Sequence, residues 1–176
     1  MFRNVEIKAK VRNRDEVLRL ANELTGEQPT ILKQHDRFYN APEGRLKMRT
    51  VEENGIVRSE LIWYDRPNLA GPKESKFNKV DIPEGISEEL SGILRCSMGV
   101  KGEIKKTRAL FLYGRTRIHI DSVDGLGDFM ELEVCLSESE AVMEGEKEAK
   151  AIMKKLCIIE DDLLEGAYMD MLKENS

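Results

Sequence analysis

The sequence predicts an α+β fold: an antiparallel β-sheet closed into a barrel, with helices packed on its outside. Three observations lead there. Stretches of strict alternation between apolar and charged residues recur along the chain, the first being Val5-Glu6-Ile7-Lys8-Ala9-Lys10-Val11. Side chains of a strand point to opposite faces with period two, so each stretch is a strand with one apolar and one ionic face. The breaks between these stretches are mostly short and turn-like, which suits antiparallel neighbours. Four patterns of helical period, at 15–25, 86–98, 140–156 and 163–172, carry apolar stripes that need a surface to cover.

Taken in order, the first strand is followed by Asn13-Arg14-Asp15-Glu16, a helix entry, and by Val17, Leu18, Leu20, Ala21 and Leu24 at helical spacing; Gly26 closes the helix. Ile31–Tyr39 is the second strand, and Asn40 to Gly44 a turn. Arg45-Leu46-Lys47-Met48-Arg49 alternates again, and Glu53-Asn54-Gly55 reads as a hairpin loop. Ser59–Arg66 places Glu60, Ile62, Tyr64 and Arg66 on one face. Residues 67–79 hold many breakers and lysines and read as a mobile loop, with Lys73 and Lys76 in solvent, leading to a short strand that ends near Ile82. After Pro83-Glu84-Gly85 comes the helix Ile86–Met98. Val100–Tyr113, Thr116–Val123 and Phe129–Leu136 are strands, with Asp124 to Asp128 a loop. Glu140–Leu156 is a long charged helix, and Leu163–Leu172 a final short one.

A length of 176 residues suits a single domain, 1–176. The net charge of -5 argues against a general nucleic-acid binder, whose affinity rests on neutralising phosphates. Cys96, Cys135 and Cys157 form no CxxC pair and suit no zinc site; they read as packing residues of a reduced, cytoplasmic protein. No apolar run has the length of a membrane span, and the charged start at Arg3, Glu6, Lys8 and Lys10 has no signal-peptide core, so no membrane partner is expected.

The ionic faces decide between two architectures. An open sheet would turn them to water; a closed barrel would turn them inward and leave the apolar faces outside, under the helices. A solvated face is usually mixed with Ser, Thr, Asn and Gln, whereas these faces are crowded with Lys, Arg and Glu. Same-face neighbours on a strand lie about 6.6 Å apart. Like charges at that distance repel by about 2.5 kcal/mol at an effective dielectric of about 20. A lumen lined this way calls for a polyanion, with a divalent cation on the carboxylates.

In this pattern the chain resembles the CYTH domain proteins of the triphosphate tunnel metalloenzyme superfamily over almost its whole length. The family's first strand carries Glu-x-Glu-x-Lys; the matching residues are Glu6-Ile7-Lys8-Ala9-Lys10. Its paired basic strands match Lys47/Arg49 and Lys106/Arg108. Its late acidic strands match Arg117-Ile118-His119-Ile120-Asp121 and Glu131-Leu132-Glu133. The resemblance implies an eight-stranded antiparallel closed tunnel that binds a triphosphate-containing small molecule with Mg²⁺ or Mn²⁺, as a monomer or homodimer. It implies substrate contacts from Lys8, Lys10, Lys47, Arg49, Arg66, Lys106, Arg108 and Arg117, metal ligands in Glu6, Asp121, Glu131 and Glu133, and catalytic roles for Glu6, Lys10 and Asp121. The activity implied is triphosphate hydrolysis; adenylyl cyclase chemistry and binding without turnover are the alternatives. Lys8 departs from the pattern, putting an ammonium where the family has its middle acid and placing the usual two-metal arrangement in question. His119 reads as a hydrogen-bonding structural group rather than a base, and Tyr64 as a packing residue.

Overall fold

The first strand, β1 (Phe2–Lys10), closes the sheet, pairing antiparallel with the last strand, β8 (Gly127–Leu136), and with β5 (Lys73–Ile82). Between them run β2 (Thr30–Tyr39), β3 (Arg45–Glu53), β4 (Ile56–Asp65), β6 (Val100–Tyr113) and β7 (Thr116–Val123). Around the closed barrel the order is β1-β5-β4-β3-β2-β6-β7-β8, every pair antiparallel. This is a computed structural model, and it describes residues 1–174. The last two residues of the expected 1–176 domain lie outside the described residues. Closure leaves no sheet edge unpaired, and the expected eight-stranded antiparallel barrel with helices outside is the observed architecture.

The hydrophobic core lies between the barrel's outer face and the helices. Val5, Ile7 and Ala9 of β1 point outward and are buried with Ile118, Ile120, Met130, Leu132 and Val134 under α1 (Arg14–Thr25) and α3 (Val142–Lys155). A Cβ on Gly145 would come 2.7 Å from Val5 Cγ2. That close approach seats α3 on β1. Asn13 caps α1 by accepting from the Glu16 amide, and Gly26, at φ +73°, ends it. The second helix, α2 (Ser87–Met98), covers Tyr39, Met48 and Ile82. No helix among the described residues is long and apolar enough to cross a membrane.

Two segments differ from the sequence reading. Residues 73–82 form a full strand instead of a mobile loop. Its outward face lies under α2 at Ile82 alone; the rest has no helix over it, leaving Val80 59% exposed. Its inward face is the polar one. A strand polar on both faces shows no hydrophobic period, and Gly71-Pro72 punctuate its start rather than its middle. Lys73 is therefore buried, donating to the carbonyls of Leu69 (2.8 Å) and Gly71 (3.5 Å), not solvated.

The chain end also differs. A 3₁₀ turn at Glu160–Asp162 and an extended stretch, bridged through Leu163 to Ala9, precede α4 (Tyr168–Glu174). Gly166, at φ +71°, turns the chain into that helix. Here α4 packs across one mouth of the barrel, on Phe38, Ile104, Val123 and Phe129. Of the cysteines expected to pack, Cys96 and Cys157 are exposed and only Cys135 is half-buried, all three as free thiols.

Candidate active site in the barrel lumen

Because Val5 and Ile7 face the outer core, period two sends Asn4, Glu6 and Lys8 inward. The same logic on the other strands encloses a cavity of about 320 Å³ lined by nine cationic side chains and five carboxylates. One mouth is covered by the C-terminal segment, whose Tyr168 enters the lumen and is 6% exposed. At the other, Arg58 and Lys79 are 48% and 44% exposed. The cavity thus opens at one end only.

Two matching clamps form one wall. On β2 and β3, Asp36 Oδ1 accepts from Arg49 Nε (2.6 Å), while Oδ2 accepts from Arg49 Nη2 (2.7 Å) and Lys47 Nζ (2.9 Å). On β6 and β7, Asp121 repeats this with Arg108 (2.7 and 2.6 Å) and Lys106 (2.9 Å). The register puts each Asp directly opposite its Arg. Each carboxylate grips its Arg through Nε and Nη2 in the bidentate manner, leaving Nη1 for another anion. Burial alone would raise the Asp36 pKa, but Arg49 and Lys47 outweigh it and hold the group well below the usual range. Asp121 is shifted down likewise, by Arg108 and Lys106 against burial. Burial, with Arg49 next, lowers Lys47 to about 8.

Beside the second clamp lies the acidic strand. Glu131 Oε1 is 3.0 Å from Lys8 Nζ, and its Oε2 accepts from Arg108 at 2.6 Å. Glu133 Oε2 accepts from Arg117, whose Nη2 is at 2.7 Å. Burial pushes Glu131 up, but Lys8 and Lys106 dominate and keep it ionised. For Glu133, burial is likewise overcome, by His119, Arg117 and Arg108, which bring it to about 2. Glu6, 3.1 Å from Arg66, moves the other way: burial wins over Arg66 and raises it. Lys8 lies 3.6 Å from the centre of the Tyr168 ring, and burial above all lowers its pKa to about 8.

Most of the residues anticipated from sequence meet here: Glu6, Lys8, Lys47, Arg49, Arg66, Lys106, Arg108, Arg117, Glu131 and Glu133 all line the cavity. Two do not serve as expected. Lys10 is exposed and lies beyond the closed mouth, beside Leu164 and Asp170, because the C-terminal segment crosses the barrel between it and the lumen. Asp121 is fully buried behind the lining, where Lys106, Arg108 Nη2 and the Tyr168 hydroxyl (3.0 Å) converge on Oδ2 and Arg108 Nε on Oδ1, so this carboxylate holds the clamp and does not face the lumen. Arg45, which shares the phase of Lys47, turns to Asn68 and Asp170 instead.

Sequence reading passes over Arg58, Lys79 and Tyr168 as lining residues, and puts Glu60 on the shared face of its strand without giving it a role. Arg58 shares the parity of Glu60, Ile62, Tyr64 and Arg66, so the alternation extended two residues upstream includes it. Lys79 is hidden by the loop reading, and no periodic signal marks Tyr168.

Among the described residues, one group brings three potential metal-ligand atoms together: His119, Glu131 and Glu133, all within 4.8 Å of one another. His119 is 4% exposed, and its Nδ1 has no hydrogen-bond partner. The two carboxylates are hard oxygen donors of the kind that Mg²⁺ or Mn²⁺ takes, so the donor set fits a divalent cation. Glu6 is paired to Arg66 and stands outside this group.

Comparison with known proteins agrees with the geometry. The family model of the CYTH domain matches residues 3–168. A Methanocaldococcus jannaschii protein named as a putative adenylate cyclase is 27% identical over 180 residues, covering 95% of this chain and 97% of its own. The solved PH1819 protein of Pyrococcus horikoshii has the same fold, with a TM-score of 0.81, 22% identity and coverage of 98% and 99% of the two chains. The Hippeastrum adenylyl cyclase candidate HpAC1, described as revealing a dominant triphosphatase activity, superimposes with a TM-score of 0.67 at 14% identity, over 98% and 96%.

Proposed function

The chain belongs to the CYTH domain family, and from that premise we propose that it is a metal-dependent hydrolase of a triphosphate-containing substrate held in the lumen. The observation that carries this reading is the excess of cations over carboxylates in a cavity open at one end. A linear polyanion entering past Arg58 and Lys79 meets Arg117 and Arg49, then Arg108, Lys106 and Lys47. Arginine suits bidentate contact with phosphate, and both clamp arginines keep a free Nη1 for it. Arg66 and Lys8 add charge on the β1 side. Asp36 and Asp121 hold the clamps in position rather than touching substrate.

Glu131 and Glu133 would hold one Mg²⁺ or Mn²⁺, which supplies neutralisation of charge on the phosphate oxygens. Glu6 is the candidate base: its raised pKa makes it the better proton acceptor among these carboxylates. It holds a water for in-line attack on the terminal phosphorus. The new P–O bond forms as the bond to the bridging oxygen breaks, and the water's proton passes to Glu6. Lys10 has no part in this scheme.

The test is a panel of inorganic triphosphate, thiamine triphosphate and ATP, each with Mg²⁺ or Mn²⁺. Phosphate release that falls at least about a hundredfold in Arg49→Ala is the expected result. Adenylyl cyclase activity is the second reading, favoured by the name of the Methanocaldococcus relative; cyclic AMP with pyrophosphate from ATP would put it first. Tight binding with no product would leave a storage or sensing module.

A further inference from the structure

The three grouped ligand atoms are unequally engaged. Glu133 binds Arg117 through Oε2, which leaves Oε1 turned to His119 Nδ1 at 3.8 Å. Glu131 Oε2, already held by Arg108, lies 3.9 Å from the same nitrogen. Both separations are too long for hydrogen bonds, so a buried nitrogen, on a residue only 4% exposed, faces two carboxylate oxygens and bonds to neither. Leaving such a group unpartnered is destabilising unless something binds it. Burial, with Arg108 next, lowers the His119 pKa, the direction that favours the uncharged ring.

We propose that His119 Nδ1 is a ligand of the lumen cation together with Glu133 Oε1 and Glu131 Oε2, and that this nitrogen makes the chain select Mn²⁺ over Mg²⁺. The inference rests on the reading that the lumen holds a divalent cation, and deepens it. Mn²⁺ shares the preference of Mg²⁺ for oxygen donors, but as a first-row transition ion it accepts an imidazole nitrogen beside them more readily than Mg²⁺, which is smaller and dehydrates reluctantly. Lys8 fixes the stoichiometry at one. Its ammonium is bound to Glu131 Oε1 and packed on the Tyr168 ring, so a positive charge already stands on the other side of that carboxylate.

The experiment titrates the full chain with Mn²⁺ and with Mg²⁺ by calorimetry and records electron spin-echo modulation of the Mn²⁺ complex. The variants are His119→Asn, His35→Ala and Glu133→Gln, each checked for folding by its melting curve. The expected result is one Mn²⁺ per chain with a ¹⁴N modulation that survives His35→Ala and disappears in His119→Asn. In His119→Asn the Mn²⁺ affinity also falls about tenfold or more while that for Mg²⁺ changes little. Mn²⁺ that binds without ¹⁴N modulation but is lost in Glu133→Gln overturns the nitrogen ligand and leaves the metal reading standing. No Mn²⁺ binding by the native chain overturns both.

Discussion

The clamp on β2 and β3 and the clamp on β6 and β7 use the same residues in the same geometry, yet they sit in different surroundings. Lys106, Arg108 and Asp121 are 3%, 4% and 0% exposed, and Asp121 and Arg108 each have a further partner, the Tyr168 hydroxyl and Glu131. Lys47, Arg49 and Asp36 are 12%, 14% and 4% exposed, and among the described residues Asp36 has only its two cations as side-chain partners. On the proposed reading the two clamps share the ligand unequally. Where the C-terminal segment covers it, the clamp is spent more on holding the barrel together; where it faces open lumen, its cations keep more capacity for an incoming anion. The difference comes from the cover supplied by another part of the chain.

The largest effect expected from that difference is on stability. Asp121→Asn leaves Lys106 and Arg108 charged, buried and short of their shared partner, and removing one member of a buried pair costs about 3–5 kcal/mol. Asp36→Asn makes the same chemical change, but Lys47 and Arg49 can turn towards lumen water, so a cost of about 1–3 kcal/mol is expected. Urea unfolding of the two variants measures both. Equal losses would break the comparison and make the clamps equivalent.

A smaller effect, with the ranking reversed, is expected on ligand binding. Arg49→Lys and Arg108→Lys each keep the charge and lose the planar fork. A weakening of inorganic triphosphate binding by about 2 kcal/mol, roughly thirtyfold, is expected for Arg49→Lys, with little change in the unfolding midpoint. Arg108→Lys should cost more stability and less affinity, because much of the Arg108 fork is spent on Asp121 and Glu131. Calorimetric titration beside the urea curves separates the two.

How much of this is legible in the chain depends on where each signal lies. Lys47-x-Arg49 and Lys106-x-Arg108 are local alternations on strands whose other face is apolar, so period two alone places them inside. Their Asp partners are on neighbouring strands, and pairing across strands depends on register, which residue types do not specify. By sequence Asp36 merely shares a face with Phe38, and Asp121 reads as a metal ligand because nothing local shows two cations and a tyrosine hydroxyl converging on it. Lys10 fails for a related reason. It keeps strict phase with Glu6 and Lys8, but phase says which face a residue takes, not where the lumen stops. The stop is set by Gly166 and Tyr168, at the far end of the chain. Residues 73–82 escape because the strand meets an apolar core at its last residue, Ile82, alone, and one residue makes no period.

The smallest effect concerns pH, and it sharpens the comparison by acting on one member of the open clamp. Lys47, at about 8 in the empty barrel, is partly deprotonated as the pH passes from 7 to 9. A bound polyanion raises that pKa, so above pH 8 binding must be accompanied by proton uptake. The affinity contribution of this lysine therefore falls as pH rises, by up to about tenfold between pH 7 and 9. Lys47→Arg stays charged throughout that range. The ratio of native to Lys47→Arg affinities for inorganic triphosphate, taken at each pH, cancels the ligand's own ionisation, and it should decline across the window. The same shift acts on folding with the opposite sign. Between about pH 8 and 10.5 the unfolded lysine holds a proton that the folded one has lost, so this group makes the empty barrel more stable as pH rises while it makes the filled one harder to form. A ratio that stays flat would mean that Lys47 keeps its proton across the window and that the open clamp is not where the lumen senses its ligand's charge; Lys8, which also lies at about 8 and sits at the covered end, would then be the next lysine to replace.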